Sequence, residues 1–112
     1  MDIDEKITIS LMLDYYGKLL KEPQRNMMML KFNDDLSLSE ISESQGITRQ
    51  GVLDVIQRST KLLYEYEERL KLLERNDKLK KQLIELKYIA EKNNNEDIKS
   101  RIDLIINGLE EN

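Results

Sequence analysis

Residues 37–51 constrain this chain more than any other stretch, because they spell out two helix ends separated by a tight turn. Ser37-Leu38-Ser39-Glu40 is a capping box: the Ser37 hydroxyl is placed to accept from the Glu40 backbone, and the Glu40 side chain from that of Ser37. The short helix that follows turns Leu38, Ile41 and Ser42 inward. Gly46 suits the left-handed turn that ends it, and Thr48 caps the next helix, with Val52, Val55 and Ile56 inward. Two short helices crossing near a right angle need a small residue at the crossing, a turn residue tolerant of positive φ, and apolar anchors. Ser42, Gly46 and the set Ile41, Ile47, Val52 and Val55 meet those needs, so the spacing predicts a helix-turn-helix over residues 37–61.

The remainder reads as helix throughout. Ile3, Ile7, Leu11, Tyr15 and Leu19 recur at four-residue steps and predict an amphipathic helix over 3–21, its stripe widened by Met12, Tyr16 and Leu20. Pro23 suits the first turn of a second helix through Met27, Met28, Met29 and Leu30, which Asn33-Asp34-Asp35 ends. Three consecutive methionines cover three sides of a helix, so the run is read as core with one member exposed. After Thr48 the stripe continues through Leu63, Tyr66, Leu70 and Leu73, predicting one helix to about Glu74. Asn76-Asp77 interrupts it, Leu79, Leu83, Leu86 and Ala90 restart it, and Asn93-Asn94-Asn95 breaks it. A last helix over 96–107 places Ile98, Ile102, Ile105 and Ile106 on one side and stops at Gly108. The expected fold is all-α: a single helical domain over 1–112, with the helix-turn-helix at 37–61 and a C-terminal helical extension at 62–107.

Composition narrows the chemistry. There is no Cys and no His among the 112 residues, which removes disulfides, Cys or His metal ligands, thiol nucleophiles and imidazole bases. The four glycines are isolated, so there is no phosphate-cradling loop. An enzyme is not expected, nor a metal or cofactor. The N-terminus is acidic where a secretory signal would be basic, and no apolar run is long enough to span a membrane, so a cytoplasmic protein without membrane insertion is expected. A chain this small buries a modest share of its surface, and a homodimer is expected on that ground.

Net charge is −4, and its distribution matters more than its total. Residues 34–47 carry four acids and no base, residues 48–61 sum to +2, and residues 75–92 sum to +3. The second helix of the motif presents Arg49 and Gln50, then Asp54 one turn on. Arg and Gln can pair bidentately with purine edges in a major groove. Arg58 and Lys61 follow as phosphate contacts, and Ser37 and Ser39, at a helix start, could hold another phosphate. The lysines at 78, 80, 81 and 87 form a second basic region that would suit RNA. The plainer reading there is a solvated face with Lys81–Glu85 and Lys87–Glu91 pairs.

Several separated motifs then resemble one family. Leu13-Asp14-Tyr15-Tyr16-Gly17-Lys18-Leu19-Leu20, Pro23-Gln24-Arg25, the run Asn33 to Ile41, and Gly46-Ile47-Thr48-Arg49-Gln50-Gly51-Val52 are similar to the YlxM family. These are small bacterial proteins whose helix-turn-helix is similar to region 4 of sigma factors. The resemblance is dense over 11–74 and loose beyond. It implies a regulatory or accessory role in the signal recognition particle pathway, with that particle's components as partners. It also implies that Thr48, Arg49, Gln50, Asp54 and Arg58 occupy the reading positions. Gly51 departs from the alanine usual there, which weakens the helix slightly without changing the face presented. The expected function is a DNA-binding regulator, RNA being the other nucleic acid to test. The alternative is a protein-interaction adaptor whose helix-turn-helix does not read DNA.

Overall fold

The computed structural model describes residues 3–110, and these form six α-helices and one 3-10 turn with no strand. They are α1 (Ile3–Tyr16), the turn Gly17–Leu19, α2 (Glu22–Phe32), α3 (Leu38–Gln45), α4 (Arg49–Leu70), α5 (Leu72–Lys92) and α6 (Glu96–Glu110). Two compact units result, residues 1–71 and residues 72–112. The boundary between the two units falls at Lys71.

In the first unit α4 is the long central element, and α1, α2 and α3 all pack on it. The core is Ile9, Met12, Leu13 and Tyr16 from α1, Met27, Met28 and Phe32 from α2, Ile41 from α3, and Val52, Ile56 and Leu63 from α4. Met29 is exposed, as three consecutive methionines require. Of the stripe expected to bury α1, only the widening residues Met12, Tyr16 and Leu20 are buried, whereas Ile3, Ile7, Leu11 and Leu19 are all exposed. Helix α1 carries apolar residues on two overlapping ladders, and only packing against α2 and α4 selects the 9-12-13-16 set. The same packing ends α1 early, because the chain tightens into a 3-10 turn at a buried Gly17 instead of continuing to residue 21.

Two other boundaries moved. Helix α4 stops at Leu70, not Glu74, through Lys71 at φ 56, whose N–H donates to the Glu67 carbonyl. Nothing in the residue type announces this, since Gly or Asn is the usual occupant. Asn76-Asp77 lies inside α5, where Asp77 pairs with Lys81 at 3.0 Å and Glu74 with Lys78 at 3.3 Å. Asn76-Asp77 therefore interrupts the apolar stripe without ending the helix, which those exposed i,i+4 pairs support.

The second unit is an antiparallel hairpin of α5 and α6. Its turn uses all three asparagines: the Asn93 amide donates to the Ile89 carbonyl, Asn94 is left-handed, and Asn95 caps α6 by accepting from Ile98. Helix α6 runs through Gly108 to Glu110, so Gly108 does not stop it. Leu83, Ala90 and Ile102 are its buried apolar residues; Ile98 and Ile105, expected to face inward, are half exposed.

Candidate nucleic-acid interface

The motif is built as its spacing requires. The Ser37 hydroxyl accepts from the Glu40 N–H, and the Glu40 carboxylate accepts from the Ser37 N–H, both at 3.1 Å. Gly46 adopts φ 69 and ends α3, its N–H donating to the Ser42 carbonyl at 3.0 Å. Thr48 caps α4, its hydroxyl accepting from Gly51 at 3.0 Å. Sequence reasoning assigned Ser42 to the crossing on size alone. Its hydroxyl also donates to the Ile47 carbonyl, tying α3 to the far side of the turn. Ile41 and Val52 are fully buried and Val55 is half-buried, whereas Ile47, expected as an anchor, is 38% exposed.

Helix α4 sorts its side chains cleanly. Val52, Ile56, Ser59 and Leu63 face the core. Gln50, Asp54, Arg58 and Lys61 recur at three- and four-residue steps on the opposite side, and all four are exposed. Arg49 is also exposed, at the first position of the helix and about 100° around it from Gln50.

That edge is not idle. The Gln50 amide donates to the Asp54 carboxylate at 3.0 Å, and the Arg58 Nε donates to the Asp54 carbonyl at 3.4 Å. Arg58 and Lys61 also line a shallow cleft of about 290 Å³ with Gln24, Leu62 and Glu65. Ser37 and Ser39 stand apart, at the start of α3. The capping box takes the Ser37 and Glu40 N–H groups, so only the first-turn N–H groups of Leu38 and Ser39 remain for an outside acceptor there.

Sequence reasoning missed a contact that tempers the acidic segment beside the motif. Asp35, left-handed at φ 58, pairs with Lys6 of α1. The Lys6 ammonium, by hydrogen bond and by charge, holds the Asp35 carboxyl below its ordinary range. No spacing rule links residues 29 positions apart. The lysines at 81 and 87 are paired differently from expectation: Lys81 meets Asp77, and Lys87 crosses the hairpin to Asp103 at 2.8 Å, which raises the Lys87 pKa. Among the described residues no cluster of acids could hold a metal ion, and no helix is long and apolar enough to cross a membrane.

Comparison with known proteins agrees with this architecture. Residues 3–105 match the family UPF0122, described as "Putative helix-turn-helix protein, YlxM / p13 like". A UPF0122 protein of Clostridium perfringens (strain SM101 / Type A) is 45% identical over 103 residues, covering 90% of this chain and 92% of its own. One from Clostridium novyi (strain NT) is 41% identical over 111 residues, covering 96% of each chain. One from Fusobacterium nucleatum is 39% identical over 98 residues, covering 88% of this chain and 95% of its own. With a helix-turn-helix in place and the match running nearly end to end, this chain belongs to the UPF0122 family of YlxM/p13-like helix-turn-helix proteins.

Proposed function

We propose that this protein is a non-catalytic, cytoplasmic regulator that binds DNA through the exposed edge of α4. The observation that carries the reading is the separation on that helix. Arg49, Gln50, Asp54, Arg58 and Lys61 are all exposed on an element whose other side is locked into the core. Arg49 and Gln50 are the base readers, Thr48 the cap that fixes their register, and Arg58 and Lys61 the phosphate contacts. Ser37 and Ser39 offer an auxiliary phosphate contact at the start of α3. The resemblance to the YlxM family supports a role for this activity in the signal recognition particle pathway.

One feature favours an adaptor role instead. Acids crowd the motif, with Asp34, Asp35, Glu40 and Glu43 on the approach and Asp54 on the reading edge, an unfavourable field for phosphate. Binding of the purified protein to labelled DNA fragments and to signal recognition particle RNA, at low and moderate salt, separates the readings. DNA binding that Arg49→Ala/Gln50→Ala abolishes is the expected result. The two phosphate-facing cations, Arg58 and Lys61, predict a salt slope of about −2 in log K against log salt. Binding to the RNA alone, undisturbed by that double substitution, would move the site to the lysines of residues 75–92. No binding to either at low salt would leave the adaptor.

A further inference from the structure

The α5–α6 hairpin has two unlike flanks. On one, Lys87 pairs with Asp103 at 2.8 Å and Lys99 with Glu91 at 3.3 Å, so charge closes the seam between the helices. On the other, the seam stands open as an apolar groove of about 490 Å³, lined by Leu86, Ile89 and Ala90 from α5 and Ile98 and Ile102 from α6. Ile89 is 54% exposed and Ile98 47%. The hairpin's own buried apolar residues are Leu83, Ala90 and Ile102. Units of about 40 residues ordinarily need a disulfide, a metal or a partner to be stable. The chain has no cysteine, and no metal-holding cluster occurs among the described residues.

We propose that the occupant of this groove is the same hairpin of a second copy, the two forming an antiparallel four-helix bundle. Charge selects that partner. Over its own span α5 carries net +2 and α6 net −2. A two-fold axis along the bundle sets each α5 beside the partner's α6, so every neighbouring pair of helices is opposite in sign. The open flank meets its own copy, Ile89 and Ile98 become core, and the ion-paired flank stays in solvent. This pairing is independent of whether α4 reads DNA, and it would join two copies of the motif in one particle.

The test is the mass of the full-length protein in solution by light scattering across a concentration series, with the melting temperature followed over the same range. A dimer whose melting temperature rises with concentration is expected. Ile89→Asp and Ile98→Asp should give monomers that keep their helical circular dichroism. Ile7→Asp, on the exposed stripe of α1 in the other unit, should remain dimeric. Should either aspartate variant lose helix content, the milder Ile89→Ala/Ile98→Ala chain replaces it, with dimer dissociation expected at least tenfold weaker in affinity. A monomeric wild-type protein overturns the proposal. So does a dimer that Ile7→Asp dissociates, or one that the groove substitutions leave intact.

Discussion

Gln50 and Asp54 are bonded to each other one turn apart on α4, amide to carboxylate at 3.0 Å, on the edge assigned to base reading. The free protein thus holds one of its two readers against an acid of its own helix. A carboxylate about 4 Å from a phosphate costs roughly 1 kcal/mol in water. Asp54→Ala should therefore tighten DNA binding about fivefold at low salt, with less gain as salt rises, measured by fluorescence anisotropy. Weaker binding would instead make Asp54 a base contact, accepting from a cytosine amino group.

Tyr16 joins α1 to α4 by donating its hydroxyl to Glu67 at 2.6 Å, and its ring lies 6.0 Å from that of Tyr66. A hydrogen bond to a charged acceptor contributes about 1.5–3 kcal/mol. The site is partly buried, so Tyr16→Phe should cost near the lower end of that range. Chemical denaturation checks this through the midpoint, with an unchanged slope. A loss well below 1 kcal/mol would mean that Tyr16 acts through its ring alone.

Ser59 is fully buried on α4, and its hydroxyl has no hydrogen-bond partner among the described residues. A buried, unsatisfied hydroxyl costs about 1–3 kcal/mol, and alanine is the better helix former. Ser59→Ala should raise the melting temperature by several degrees. A lower one would show that the hydroxyl finds a partner in solution.

Lys6 and Asp35 set an acid-side prediction. The folded-state pKa of Asp35 lies below its ordinary 3.8, so this pair stabilises the fold above that value. The contribution disappears as pH falls through the lowered pKa. Asp35→Asn, which tolerates the same left-handed backbone, should lower stability at neutral pH slightly and flatten its decline below about pH 4. Both partners are solvent-accessible, so the effect is small and should shrink further in salt. Parallel acid titrations of the two proteins by circular dichroism measure the difference.

Local chemistry in the sequence was enough to determine the helix-turn-helix. A capping box, a glycine and a capping threonine act within four residues of themselves, and Ser37, Gly46 and Thr48 occupy the roles their spacing implies. The exposed edge of α4 was legible for the same reason, because about half a helical turn separates Val52 and Ile56 from Gln50 and Asp54. Tertiary structure alone decided which of two apolar ladders α1 buries, since periodicity is satisfied by both and only α2 and α4 distinguish them. It also decided that α4 ends at Lys71, where a residue with no intrinsic preference for φ 56 adopts it. The pairings of Lys6 with Asp35, Tyr16 with Glu67 and Lys87 with Asp103 join residues 16 to 51 positions apart. Contacts at that separation exist only once the helices have packed, and no local rule specifies them.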